Sequence, residues 1–155
     1  MKNSKVSFTT NQKIIHHLML ESNQLKSLGL LDGKMGLIIF FYHYARHTDN
    51  IIFEDFADDL LDGLLENIHK ELPLTFTSGL SGIAWGIEYL IQNRFIEGDS
   101  NEICEELDKK IISADPRHLE DYSLETGLEG IAHCVIARIN GAIRQNNPIS
   151  FDRIS

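Results

Sequence analysis

The feature that most constrains this chain is a motif of two glycines separated by two residues, which occurs three times. In every copy an Asp, Ser or Thr precedes the first glycine, and a Leu or Ile follows the second. The first glycines, at positions 33, 79 and 127, lie 46 and 48 residues apart. Periods of roughly 20–50 residues are typical of repeat architectures. The three glycine pairs are Gly33 and Gly36, Gly79 and Gly82, and Gly127 and Gly130.

Each motif predicts the start of a helix. The side-chain oxygens of Asp, Ser and Thr accept hydrogen bonds from the free N–H groups of a first helical turn. We therefore expect Asp32, Ser78 and Thr126 to cap three helices. Glycine weakens a helix by roughly 1 kcal/mol relative to alanine, so we expect the glycine pairs to allow a close approach of neighbouring helix ends or loops that offsets this loss.

The segments that follow the glycines are apolar on most sides, over residues 34–46, 80–94 and 128–144. A helix that is apolar nearly all round is a buried one. Trp85 is expected to fill space beside the second glycine pair. Arginines near the far ends suit the negative end of the helix dipole. They are Arg46, Arg94 and Arg144.

Amphipathic segments alternate with these apolar ones, over residues 11–25, 53–70 and 101–113. Their charged faces are interpreted as solvated surface, and Ser100 is expected to cap the third. The stretch KVSFTT at residues 5–10 is interpreted as coil, and Pro148 is expected to stop the last helix.

The alternation predicts an all-α fold, an α/α toroid-like arc of three helical hairpins that forms a partial α/α barrel. Each hairpin has an outer amphipathic and an inner buried helix. The chain is expected to form a single domain over residues 1–155. The hairpins span about 11–46, 51–94 and 100–144, and a loosely ordered tail covers 145–155.

Charge and composition restrict the partners and the compartment. The net charge is −9, and no Lys/Arg cluster is present that could displace counterions from phosphates, so we expect no nucleic-acid partner. We expect no membrane partner either, because the longest apolar run is too short to span a bilayer. The N-terminal residues lack the apolar core of a secretory signal. Cys104 and Cys134 are predicted to be buried free thiols rather than a disulfide, which favours a cytoplasmic protein.

The segments LLDGKMGLIIFFYHYAR, TSGLSGIAWGIEYLI and ETGLEGIAHCVIA resemble the lanthionine synthetase C-like family, over residues 25–144. Other α/α toroids, such as terpenoid cyclases, share the glycine motif, but GLxGIA within long apolar helices favours the lanthionine type. The resemblance implies an α/α barrel with more hairpins than the three found here. It also implies that bacterial members form thioether rings in ribosomally made peptides, with a zinc ion that activates the attacking Cys thiolate of the substrate.

The resemblance places the zinc ligands just ahead of the glycine motifs of later hairpins, as a Cys in a Trp-Cys-x-Gly segment and a Cys-His pair. Here those positions hold Leu31-Asp32, Thr77-Ser78 and Glu125-Thr126, so we predict no catalytic residue, no metal ligand and no cofactor in this chain. We expect a non-catalytic partial barrel that acts as a peptide-binding or assembly module in modified-peptide maturation. The alternative is a subunit or fragment of a zinc-dependent peptide cyclase whose ligands lie on another chain or in a C-terminal part.

Four pairs of titratable residues are candidate sites, and each has a simpler interpretation. His133 and Cys134 are adjacent and are interpreted as a packed core pair. The pair His43 and His47 has a spacing that can bind metal, but no carboxylate shares its face. The remaining pairs are interpreted as surface residues and as acids that favour a helix start. They are His16 with His17, and Glu125 with Glu129.

The gathered helix starts form a candidate rim that could accept an anion or a peptide carboxylate, although the same residues could serve only as caps and packing groups. The open ends of a three-hairpin arc predict a homo-oligomer or docking on a partner protein. The candidate rim residues are Asp32, Lys34, Ser78, Ser81, Thr126 and Glu129.

Overall fold

The structure is a computed structural model that describes residues 9–68 and 71–151. All regular structure in these residues is helical, so the predicted all-α class is confirmed. The helices are α1 (Thr10–Ser22), α2 (Lys34–Thr48), α3 (Ile51–Asn67), α4 (Leu80–Gln92), α5 (Ser100–Ile103), α6 (Glu105–Ile112) and α7 (Leu128–Gln145), with a 3₁₀ turn at Pro116–His118.

The helices α2, α4 and α7, which follow the glycine motifs, form the inner layer. Helix α4 lies between the other two, because it contacts both α2 and α7. Helix α3 packs against α2, and α5 and α6 pack against α4 and α7 from the outside. This arrangement is consistent with an arc of helical hairpins.

One continuous apolar core joins the helices, and two contrasting clusters of side chains lie between the layers. Between α2 and α3, the ring of Phe41 lies 4.8 Å from Phe56 and 6.4 Å from Phe53, measured between ring centroids. Between α4, α6 and α7, the Arg138 guanidinium is fully buried with two carboxylates, those of Glu88 and Asp108. The first cluster is apolar and the second is ionic.

The third outer segment is not one helix, as the prediction for residues 101–113 had it. The chain leaves helical geometry at Cys104, where φ is −97° and ψ is 8°, and this residue separates α5 from α6. The prediction that Ser100 caps this segment was also wrong. Asp99 accepts the N–H of Asn101 at 2.9 Å, whereas Ser100 is buried inside the first turn.

The three inner helices are unequally buried. This corrects the expectation that each of them is buried on most of its sides. Helix α4 is buried along most of its length. Helix α7 leaves an apolar side open, and Ile136 and Ile143 are 57% and 61% exposed. The difference arises because α4 has an inner helix on both sides, while α7 has one on a single side.

The segment after α7 is hydrogen-bonded to the start of α5 as far as Ser150, whose hydroxyl donates to Asn101. Asn146, with a φ of 56°, ends α7 in the left-handed region, ahead of Pro148. The Asn147 side chain donates to Asp99, and Asn101 donates to the Pro148 carbonyl at 2.7 Å. The remainder of the predicted tail, residues 152–155, and residues 5–8 of the KVSFTT stretch lie outside the described residues.

Candidate functional site: the glycine loops and their groove

The loop before each inner helix folds back onto the helix start in the same way. In all three repeats, the first helical N–H donates to the carbonyl seven residues upstream. This bond satisfies a donor that otherwise has no partner inside the helix. The bonds are Lys34 to Ser27 at 3.0 Å, Leu80 to Pro73 at 2.8 Å, and Leu128 to Asp121 at 2.9 Å.

The predicted caps were therefore wrong. The residue in the cap position is the first glycine of each motif, and it makes no side-chain capping bond. Asp32 instead accepts the Ser27 hydroxyl at 2.9 Å, and the Thr126 hydroxyl donates to Asp121 at 2.5 Å. Ser78 shares a hydrogen bond with Thr75. These side chains close the loops, and the hydrogen bond from Thr126 holds the pKa of Asp121 below its usual value.

The second glycine of each motif lies against the carbonyl six residues upstream. A Cβ on Gly36, Gly82 or Gly130 would overlap the carbonyl oxygen of Leu30, Phe76 or Leu124. The loop can approach the helix this closely only because these positions carry no side chain. The glycine spacing in the sequence thus reflects contact between each helix and its own preceding loop.

Successive loops are also bonded to one another through one repeated position. The N–H of Leu31 donates to the Thr77 carbonyl at 3.0 Å, and the N–H of Thr77 donates to the Glu125 carbonyl at 3.0 Å. We call this series of backbone bonds the loop ladder. Side-chain contacts join successive repeats in the same order. A Cβ on Gly82 would lie 2.9 Å from Leu30 Cβ, and one on Gly130 would lie 2.5 Å from Phe76 Cβ.

An apolar groove of about 450 Å³ crosses all three repeats beside the loop ladder. Two structural positions, each used once per repeat, supply most of its lining. The first position lies in the loop and the second lies in the inner helix. Leu30, Phe76 and Leu124 come from the loops, and Ile39, Trp85 and His133 come from the helices, with Leu31 and Gly36 at one side.

Aromatic contacts fix the centre of this groove. Trp85 is half-buried, meets Phe76 edge to face at 5.9 Å between centroids, and stacks on Tyr89 at 5.2 Å. The Tyr89 hydroxyl is in turn 2.8 Å from His43 Nε2. A half-buried indole held on two sides presents a rigid apolar surface to a ligand.

The structure places the candidate rim residues in different environments. The side chains of Asp32, Thr126 and Glu129 are exposed, and those of Lys34 and Ser78 are partly buried. Ser81 is fully buried, and its hydroxyl has no hydrogen-bond partner among the described residues. Ser81 therefore does not line the accessible rim.

The interpretation of His133 and Cys134 as a packed core pair was half wrong. Cys134 is buried, but the His133 side chain is 55% exposed, with Nε2 3.9 Å from Glu129. Adjacent residues of a helix point about 100° apart. The side chain of His133 therefore lines one end of the groove, while that of its neighbour Cys134 is buried. Of the other candidates, His16, His17, His47 and Glu125 lie at exposed positions.

The thiols of this chain do not fit the zinc centre that the sequence resemblance implies. Cys104 and Cys134 are free and buried, as predicted, and burial raises the pKa of Cys134 to about 12 and that of Cys104 further still. A cysteine binds zinc as its thiolate. Among the described residues, no group of three or more His, Cys, Asp or Glu side chains is placed to hold a metal.

A buried ion cluster between α4, α6 and α7 was not predicted from the sequence. Arg138 donates to Glu88 at 2.6 Å and to both Asp108 oxygens, and it also reaches Asn101. Burial alone would lower the pKa of Arg138, but its bonds to the two carboxylates raise it. The available signal in the sequence for this cluster was the presence of opposite charges, Glu88 and Arg138, within two otherwise apolar inner segments.

Repeated helical hairpins whose inner helices begin at bonded glycine loops are consistent with an all-α, toroid-like arc. The family model described as lanthionine synthetase C-like protein matches residues 24–149, and the chain belongs to this family. Comparison with curated proteins and with solved structures found no match. No helix in residues 9–68 and 71–151 is long and apolar enough to cross a membrane.

Proposed function

We propose that this chain is a peptide-binding module of modified-peptide maturation that takes an apolar peptide segment into the groove beside the loop ladder. The observation that carries the proposal is the groove itself, since equivalent positions of all three repeats supply its apolar lining. Ligand sites in proteins are typically concave and mostly apolar, with a few polar groups that set the orientation.

The chemistry of the groove favours a particular kind of peptide. Trp85 and Phe76 offer aromatic surface to apolar side chains, and aromatic anchors dominate the energy of many interfaces. Glu129 and His133 at one end supply polar contacts. With a net charge of −9, the chain would attract apolar peptides that also carry Lys or Arg.

The proposal assigns no chemical step to this chain. Its two thiols are buried and protonated at neutral pH, so neither would act as a nucleophile or as a metal ligand without a rearrangement of the core. A module of this kind would present a peptide to a separate enzyme. Free thiols persist in reducing compartments, which supports a cytoplasmic location.

Trp85 is the one tryptophan of the sequence and reports directly on the groove. We expect an apolar, Lys-containing peptide to shift the emission of Trp85 and to release heat in a calorimetric titration. We expect Trp85→Ala to weaken binding by about tenfold or more, which is the loss of one aromatic anchor.

The matched control is Tyr122→Ala, which removes an aromatic side chain that is 71% exposed and lies outside the groove. This variant should bind the peptide as the unsubstituted protein does. Equal binding by the Trp85 variant would contradict the proposal. Stoichiometric zinc in the purified protein would instead favour the alternative, a subunit of a zinc-dependent peptide cyclase.

A further inference from the structure

The loop ladder ends in unlike groups at the first and third repeats. One bond recurs from each repeat to the carbonyl of the next, from Leu31 to Thr77 and from Thr77 to Glu125, and Phe76 donates a second N–H to the Glu125 carbonyl. At the third repeat the Glu125 N–H has no acceptor among the described residues, and at the first repeat the Leu31 carbonyl has no donor. One end therefore offers the donor that the other end lacks.

The first repeat also lacks the side-chain contact that the other two receive. Leu30 lies against Gly82 and Phe76 lies against Gly130, but no side chain of another repeat lies within 4 Å of a Cβ built at Gly36. A groove of about 740 Å³ adjoins Gly36, between α1 and the start of α2. Leu31 at its edge is 62% exposed.

The third repeat carries the groups that would complete this contact. Leu124 occupies the position of Leu30 and Phe76. Helix α7, which follows it, exposes Ile136 and Ile143 on the side away from α4. Each lies two residues, or about 200° round the helix, from a residue that faces Glu88 of α4, namely Arg138 or Gly141. Exposed apolar patches mark interaction sites.

We infer that a second copy of this chain occupies both ends, so that two arcs close into one ring. The Glu125 N–H of each copy donates to the Leu31 carbonyl of the other, and Leu124 packs against the other copy's Gly36. Both junctions repeat a contact that the chain already makes twice within itself. A two-fold ring uses both ends of both copies and leaves no end open.

The test is the mass of the protein in solution, measured by light scattering after gel filtration. We expect twice the chain mass of 17.6 kDa. Leu31→Asp at one end and Ile136→Asp at the other should each give a species of one chain mass, because both junctions then bury an unpaired charge. Both side chains are more than half exposed, so circular dichroism should show the same helix content as the unsubstituted protein.

The matched control is Ile52→Asp on α3. Ile52 is 62% exposed, like Leu31, but it lies away from both ends of the ladder. This variant should keep the doubled mass. A single-chain mass for the unsubstituted protein at every concentration would overturn the inference, and so would a doubled mass for the Leu31 variant.

A mixture of the Leu31 and Ile136 variants distinguishes this head-to-tail dimer from a dimer in which the same end of both copies forms the interface. A mixed pair has one junction with both substitutions and one junction with neither, so it should form a dimer that dissociates more readily than the unsubstituted one. Failure of the mixture to associate would contradict the head-to-tail arrangement. Peptide binding by the single-chain Ile136 variant tests the groove separately, because Ile136 is not part of the groove lining and Trp85 remains in place.

Discussion

The contact between α2 and α3 and the contact between α4 and α7 differ in how they specify their geometry. The first is a cluster of rings, in which Phe41 stacks on Phe53 and meets Phe56 edge to face. In the second, Arg138 binds Glu88 and Asp108 where all three side chains are at most 3% exposed. The first contact depends mainly on the shape of its rings, with one hydrogen bond from the Tyr42 hydroxyl to Asp58, and the second depends on charge and hydrogen bonds.

This difference indicates which of the two helix contacts tolerates substitutions. The replacement of an apolar core side chain by another of similar volume usually lowers the free energy of unfolding by less than about 1.5 kcal/mol. A buried ion pair is intolerant, because removal of one partner leaves the other charge in an apolar medium. We therefore expect the α4–α7 contact to fix the relation of the last two repeats, and the α2–α3 contact to tolerate repacking.

The largest expected effect comes from Arg138→Met. This change leaves Glu88 and Asp108 buried without their cation, and it should lower the free energy of unfolding by about 3–5 kcal/mol. Urea unfolding followed by circular dichroism measures the loss. Arg144→Met on the same helix is the control, since Arg144 is exposed and makes only a 3.5 Å contact with Gln92. A loss for Arg138→Met no larger than that of the control would refute the distinction.

A smaller effect is expected from Gly141→Ala in the same contact. A Cβ at Gly141 would overlap the Glu88 carboxylate, which is held by Arg138 and by Gln92. The substitution should lower the free energy of unfolding by about 2 kcal/mol, as is typical when a buried polar network is disturbed. Gly63→Ala on α3 is the matched control. A Cβ there meets nothing within 4 Å, so it should raise stability by about 0.5–1 kcal/mol.

Phe41→Leu tests the aromatic side of the comparison. Phe41 is fully buried, but its neighbours are apolar rings that can shift into the space, so we expect a loss of about 1 kcal/mol. The same urea titration measures it. A loss as large as that of Arg138→Met would mean that the α2–α3 contact is as rigid as the ionic one.

The smallest effect concerns alkaline pH. Burial raises the pKa of the Cys134 thiol from 9.0 to about 12, so the folded state holds a proton that the unfolded state releases. This contribution to stability is fully present below about pH 9 and is lost as the pH rises towards 12. Urea midpoints from about pH 8 to about pH 10 should fall more steeply for the unsubstituted protein than for Cys134→Ala. The Cys104 and Tyr42 pKa values are raised in the same direction by burial. Equal slopes for the two proteins would contradict this assignment.

The starts of the inner helices were predictable from the sequence. The predicted segments and the observed helices α2, α4 and α7 begin at the same residues, Lys34, Leu80 and Leu128. This agreement has a physical cause, because each glycine pair marks the point where a loop folds against its own helix. The same reasoning failed for the caps, since a sequence does not show that a backbone carbonyl has taken the place of the side-chain acceptor.

The ion cluster shows what the sequence pattern could not supply. Arg138 is 50 residues from Glu88 and 30 from Asp108 along the chain, and helical periodicity carries no information about such pairs. Asp108 belongs to a segment whose charges are otherwise solvated. The groove was equally hidden, since its lining is recognised only when equivalent positions of the three repeats are brought side by side.

The loop ladder has a consequence for how proteins of this construction change length. Its bonds involve only main-chain atoms at one recurring position, so every loop is an equivalent connector whatever side chain it carries. The helices are not equivalent, because the Arg138 cluster ties the last repeat to its neighbour alone. Duplication or deletion of a hairpin would thus be accommodated readily at the loops, and it would be resisted at the Arg138 cluster, where buried charges must find their own partners.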